Sequence, residues 1–333
     1  MSVTVKDIAK MAGVSHTTVL KALNDKPKIS IELKEKIKKL AEENNYVINA
    51  NARNFALQKN KVIGLVITDI SIPLFAEMTK AIEEVARESG YNVIVSCSEN
   101  DVKKEDEAII SMQELRVAGI IITPSYKGID FVKRLNTSKI PFIVLGKLEG
   151  TDSDYITFDD RTATYKATKY LTEIGHKKIA CLINGNIDTN PFKCWVEGYK
   201  SALDEEGLEF NPDYVIDCGV TPDSGYRNAR ELALRSDRPT AIINFSDTNV
   251  IGVTRGLKDN GIRIPQDMSL VVLQDDNIFK YSSPSLTAVS FPIYELGRLS
   301  IEYLLKKIVQ KKSDIKRIML PVELIVREST CKL

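Results

Sequence analysis

The sequence predicts an α/β protein in which a small three-helix headpiece precedes a body of two parallel-sheet lobes. Three observations carry that expectation. Residues 4–24, TVKDIAKMAGVSHTTVLKALN, read as two short helices around a tight turn. From Val62 onward, short wholly apolar runs alternate with amphipathic helices. Charge divides the chain at the same place: residues 1–60 hold 11 Lys/Arg against 6 Asp/Glu, whereas residues 61–333 hold 35 against 39. A basic head on a mildly acidic body fits a head that meets phosphates and a body that meets something else.

In the headpiece, Thr4 with Asp7 three residues later is a capping-box-like start, and Ile8, Ala9 and Ala12 form one apolar stripe. Gly13 supplies the sharp turn, Ser15 is a good N-cap, and Val19 and Leu23 sit i,i+4 on the second helix. His16, Thr17, Thr18 and Lys21 are left on that helix's outer face, the positions that enter a major groove in a helix-turn-helix. An ordinary helical hairpin with a polar outer face is the competing reading of this segment. Ser30 starts a third helix with Leu33, Ile37, Leu40 and Ala41 at helical spacing, ending near Asn44-Asn45. Residues 1–48 are therefore expected to form the headpiece and 49–60 a linker. Within the linker, NANARNFALQ contains good helix formers but fewer than three turns, too few for a stable isolated helix.

Strands are expected at 62–67, 91–97, 118–123, 140–145, 178–183, 240–245 and 269–273. Helices are expected near 75–89, 103–116, 128–136, 161–174, 193–207, 223–235, 248–260 and 293–312. Wholly apolar strands separated by helices imply parallel sheets covered on both faces. Residues 61–333 exceed one usual core, so two lobes are expected: 61–159 with 291–320, and 160–290 with 321–333. The late helix and strands near 286–290 and 319–326 then cross back between lobes, making a hinged clamp. Open α/β sheets take ligands at the carboxyl ends of their strands, which places the cleft there.

Several chemistries find no support. No apolar run approaches the ~18 residues that span a bilayer, and MSVTVKDIAK has no export pattern. Five cysteines are scattered without a CxxC pair and the two histidines lie far apart, so a reduced cytoplasmic protein without a metal or other cofactor is expected. GxGxxG, Walker A, GxSxG and HExxH are all absent. The acidic pairs Asp159-Asp160 and Asp275-Asp276 follow strand-like runs, where aspartate commonly caps a helix. His176 follows Gly175 at a helix C-terminus, where capping and dipole contacts account for it better than catalysis. An enzyme is not expected.

The chain resembles the lac/gal repressor family of bacterial transcription regulators over essentially its whole length. The matching stretches are VKDIAKMAGVSHTTVLKALN, GLVITDISIPLFAEM, AGIIITPS, GHKKIACL, DSGYRNARELAL, RPTAIINFSD, GIRIPQDMSLVVLQDD and SPSLTAVSFPIYELGR. The resemblance implies a periplasmic-binding-protein-like body and a homodimeric, allosteric DNA binder. It places His16, Thr17 and Lys21 at base-reading positions, and Thr4, Ser15, Thr18, Asn24 and Ser30 at phosphate contacts. Asn49, Ala52 and Phe55 fall in the hinge that turns helical in the minor groove, with Phe55 at the intercalating leucine's place or, alternatively, packed on the body without DNA. Around the cleft it points to Leu74, Phe75, Ser125, Lys147, Trp195, Val220, Asp247 and Asp275.

Departures from the family pattern shape the expectation. Trp195 stands where many relatives carry a ligand-clamping arginine, Lys21 where arginine is usual, and Leu20 where a small polar residue is usual. Ile48 replaces a common proline and Ser246 a common asparagine. Loss of the arginine fork disfavours an acidic or purine effector, whereas an indole suits a sugar ring or, alternatively, marks weak or absent small-molecule control. The resulting expectation is a cytoplasmic repressor of a carbohydrate-use operon that binds a pseudo-palindromic operator under control of a sugar-like effector. No heptad segment follows Arg327, so a tetramer built by a tail is not expected. The alternative is a sugar-binding protein of periplasmic type without regulatory DNA binding.

Overall fold

The computed structural model describes residues 3–23, 25–44, 46, 60–125, 129–148, 150–183, 190–310 and 316–333. They fall into two units that divide between Asn60 and Lys61.

The first unit contains helices α1 (Val5–Ala12), α2 (His16–Leu23) and α3 (Ile31–Glu43). Thr4 and Asp7 close a full capping box at α1. Gly13 ends that helix at φ +70, a left-handed conformation that costs a residue with a Cβ, and so sets the turn into α2. Ile8, Ala9, Ala12, Val19, Ala22 and Ile37 are the buried core. Leu23, expected inside, is only partly buried because Ala22 takes the inner position.

In the second unit the apolar runs form strands β1 (Val62–Ile67), β2 (Asn92–Cys97), β3 (Gly119–Ile122) and β4 (Phe142–Leu145). Later runs form β6 (Ile179–Ile183), β8 (Ala241–Asn244), β9 (Ser269–Leu273) and β10 (Thr287–Ser290). Two further strands were not legible as apolar runs: β5 (Tyr155–Phe158) and β7 (Val215–Asp217), short and interrupted by polar residues. The strand expected over 319–326 is two, β11 (Arg317–Leu320) and β12 (Glu323–Ile325), on different sheets. The sheet orders are β11-β5-β4-β3-β1-β2 and β12-β10-β9-β8-β6-β7. All pairings in the first sheet are parallel. The second is parallel except at its β12 edge, which runs antiparallel to β10.

The covering helices are α4 (Pro73–Glu88), α5 (Val102–Glu114), α6 (Asp130–Ser138), α7 (Asp160–Glu173), α8 (Asn190–Glu205), α9 (Pro222–Leu234), α10 (Val250–Asp259), α11 (Asn277–Lys280) and α12 (Ile293–Gln310). Each sheet carries an apolar core on both faces, which explains why its central strands contain almost no polar residue. Helices α9 and α10 meet at backbone distance: a Cβ added to Gly252 would collide with the Pro222 carbonyl oxygen. The chain passes between sheets at β5–α7, β10–α12 and β11–β12. Phe158 and Phe291 sit at two of those passages, edge to face at 5.0 Å, and pack against cores of both sheets.

The His176 ring has a different role from the one its sequence position implies. Its backbone N–H does close the helix end on the Leu171 carbonyl, at 3.0 Å. The imidazole itself is buried, with Nδ1 2.9 Å from Thr240 Oγ1 and Nε2 3.0 Å from Ser269 Oγ. Nε2 also lies 3.2 Å from the Cys331 carbonyl. The ring thus ties the approaches to β8 and β9 to the C-terminal tail, and burial holds its pKa below the ordinary value.

Candidate nucleic-acid interface and ligand cleft

On α2 the Ser15 hydroxyl accepts the Thr18 N–H at 3.1 Å and lies 2.9 Å from the Thr18 hydroxyl. This cap relieves the free donors at the helix start and fixes the helix that carries His16, Thr17 and Lys21, all three exposed. Thr17 and Lys21 are i,i+4 neighbours on one face. The Ser30 hydroxyl accepts the Leu33 N–H at 3.3 Å, and among the described residues its own O–H has no acceptor. Thr4 differs: both its N–H and its O–H donate to Asp7 Oδ2, at 2.9 and 2.6 Å, and a phosphate there has to compete with that carboxylate. Asn24, Asn49, Ala52 and Phe55 lie outside the described residues.

Of the residues expected around a cleft, Leu74 and Phe75 open α4 behind β1, and both lean on the first lobe's core. Ser125 follows β3 and is buried. Its backbone N–H donates to Glu105 Oε2 at 2.6 Å. Glu105 is only 2% exposed, and burial pushes its carboxyl up to about 7, against the opposing Ser125 bond. Lys147 follows β4 and is exposed. Val220, 49% exposed, precedes α9.

The second lobe's edge is more tightly knit. Trp195 donates its indole N–H to Asp160 Oδ1 at 3.1 Å. Its ring lies 4.7 Å from Phe245 and meets Phe192 edge to face at 4.9 Å. Burial, reinforced by the negative charge of Asp159, pushes the Asp160 carboxyl up to about 7 despite the indole bond. Asp247 follows β8 and accepts the Thr248 hydroxyl at 3.1 Å. Its Oδ2 is buried with no hydrogen-bond partner among the described residues, and burial raises its pKa. Asp275 follows β9, whose neighbour is β8. Its Oδ2 accepts Arg327 Nη2 at 2.7 Å, while Oδ1 is buried and unpartnered among the described residues.

Each acidic pair divides its labour. Asp159 caps α7 through the Thr162 N–H and Asp276 caps α11 through the Ile278 N–H, as their positions after strands imply. Asp160 and Asp275 instead make long-range bonds that sequence reading missed, along with the contributions of Phe192, Phe245, Arg327 and Glu105. The FDD run at 158–160 was visible, but nothing local ties it to Trp195 or ties Asp275 to Arg327.

The Glu105 carboxyl makes stability depend on pH. In the unfolded chain it ionises near the ordinary 4.5, in the fold only near 7. Its favourable contribution is thus full below the unfolded value and is lost as pH rises through 7. Glu105→Gln keeps an acceptor for the Ser125 N–H, and its Tm is expected above the parent's at about pH 8.5, the difference closing by about pH 4.5. A difference that does not vary with pH contradicts the assignment.

Residues 4–49 match a family described as bacterial regulatory proteins of the lacI family, and residues 168–330 match the periplasmic binding protein-like domain. The chain is 31% identical to the ribose operon repressor of Haemophilus influenzae, over 98% of each chain. It is 31% identical to catabolite control protein A of Priestia megaterium, over 99% of this chain and 100% of that one. The chain belongs to the lacI family. Its fold matches the transcription regulator CcpA of Lactococcus lactis at TM-score 0.75 and 27% identity, over 82% of this chain and 100% of that chain. A ribose-bound lacI-family regulator from Enterococcus faecium matches at TM-score 0.74 and 29% identity, over 82% and 100%. A lac repressor dimer bound to operator shares the fold at TM-score 0.87 over 99% and 100%, at 24% identity. This lacI-family chain is a DNA-binding transcription regulator and not an enzyme. No described helix is long and apolar enough to cross a membrane.

Proposed function

We propose that this regulator is a cytoplasmic, homodimeric repressor of a carbohydrate-use operon, switched by a sugar or sugar derivative bound between the lobes. The observation that carries the reading is the exposed His16, Thr17 and Lys21 set on a capped helix inside the lacI-family segment. Lys21 is suited to donate to guanine O6 or N7, and His16 and Thr17 to bond or pack on neighbouring base edges. Ser15, Thr18, Asn24 and Ser30 serve phosphates, which fix register without reading sequence; Thr4 joins them if Asp7 yields its bonds. Residues 1–48 are the head, 49–60 the hinge and 61–333 the body. In the hinge, Asn49 and Ala52 lie against the minor groove and Phe55 wedges a base step.

Leu74, Phe75, Ser125, Lys147, Trp195, Val220, Asp247 and Asp275 form the effector site. Aromatic faces against sugar C–H groups and carboxylates against hydroxyls are the chemistry such a ligand needs. The ribose bound to the Enterococcus faecium relative supports the sugar class. Because a hinge of this length is marginally helical alone, a few kcal/mol of differential binding is enough to shift it. The headpiece counts against a sugar-binding protein without DNA binding. Anisotropy with the DNA upstream of the chain's own gene tests the reading: operator is expected to bind well above random DNA, with affinity that falls steeply with salt and responds to a cleft ligand. Equal affinity for both DNAs contradicts it.

A further inference from the structure

Of the three aspartates at the second lobe's side of the proposed cleft, Asp275 alone has an ion-pair partner among the described residues. Asp160, Asp247 and Asp275 lie at the ends of β5, β8 and β9, joined through the Trp195–Phe245 ring contact. That partner is Arg327, whose other guanidinium nitrogen donates to the Leu286 carbonyl, while Lys147 of the same proposed site follows β4 on the other sheet. Asp159 stands beside Asp160, and the charge of Asp276 bears on Asp247, so the acidic neighbours oppose rather than offset these carboxyls. Independently, two carboxylate oxygens wait for donors. Asp275 Oδ1, on a side chain 5% exposed, and Asp247 Oδ2 are both buried without a partner among the described residues. A buried carboxylate oxygen without a donor is costly, and a charged donor compensates it better than a neutral one. The indole N–H is already held by Asp160, so Trp195 offers its π face, beside those of Phe245 and Phe192. Aromatic faces next to buried carboxyl oxygens without a donor are an arrangement that suits an ammonium group.

Resting on the reading of the cleft as the effector site, we infer that its ligand is a sugar-sized polyol bearing a protonated amine, an amino sugar or an iminosugar, rather than a neutral sugar. The amine neutralises the Asp160–Asp247 edge and satisfies the orphaned oxygens. The hydroxyls and C–H groups use the remaining polar groups and rings as any sugar does.

Calorimetry on the full-length protein tests this with matched sets: glucosamine, galactosamine and mannosamine, their hydroxyl parents, their N-acetyl derivatives, and iminosugars of the same ring size. At least one aminated member is expected to bind tighter than both its hydroxyl parent and its N-acetyl derivative by roughly tenfold or more. Asp247→Asn and Asp160→Asn, the second retaining an acceptor for the Trp195 indole, are each expected to move that ratio towards one. Unliganded melting curves identify a variant that fails to fold, and the other variant then carries the test. Neutral members binding as tightly as aminated ones, or no aminated member binding, overturns the inference. Neutral sugars that bind and alter operator affinity in that case leave the effector-site reading standing; loss of every ligand response, neutral sugars included, counts against that reading too.

Discussion

Asp275→Ala is expected to destabilise the body by about 3–5 kcal/mol, the cost of stranding a buried guanidinium whose carboxylate partner is removed. The pair is well withdrawn from water, at 12% exposure for the Arg327 side chain and 5% for that of Asp275. It also ties β9's carboxyl end to the chain beyond β12 across 52 residues of sequence. Urea unfolding of the intact protein measures this directly; a loss under about 1 kcal/mol would mean that water screens the pair. The alanine variant therefore confounds ligand binding with folding. Asp275→Asn keeps an oxygen for Arg327 Nη2 and is the substitution with which to read Asp275's part in the cleft.

The second large effect is expected at the head. Replacing His16, Thr17 and Lys21 together by alanine removes every proposed base contact. Each good contact discriminates by about 1–3 kcal/mol, so the ratio of operator to random-DNA affinity is expected to fall by roughly a hundredfold or more. All three are exposed and none belongs to the headpiece core, so the head's helicity is expected to persist by circular dichroism. Equal weakening on operator and random DNA would reassign the trio to phosphates, because phosphate contacts carry no sequence information.

How far the molecule could be read from its sequence depends on the range of the interactions. Strands such as VIGLVI and SLVVL announce themselves because a strand buried on both faces has no room for polar residues. The caps at Thr4, Ser15, Ser30, Asp159 and Asp276 are local hydrogen bonds, two or three residues long, and were equally visible. YITF and Val215–Asp217 escaped because strands of three or four residues with a polar member look like loops. The hydrogen bonds and ion pairs around the residues proposed for the cleft were not legible. Trp195 with Asp160, Glu105 with Ser125 and Asp275 with Arg327 are separated by 35, 20 and 52 residues, and no periodicity links such partners. His176 shows the same limit: its backbone obeys the local rule of a helix end, while its ring answers to Thr240, Ser269 and Cys331.

On the proposed function, the headpiece grips the operator while a ligand in the cleft decides how firmly. The most direct measurement is the operator Kd of the intact protein with and without a saturating cleft ligand, binding of that ligand being confirmed by calorimetry in the same buffer. A shift of roughly 5–150-fold is expected, the usual range of coupling between two sites, and it should shrink at the same ligand concentration in Asp247→Asn. An operator Kd that stays constant while calorimetry shows the cleft filled would contradict the account.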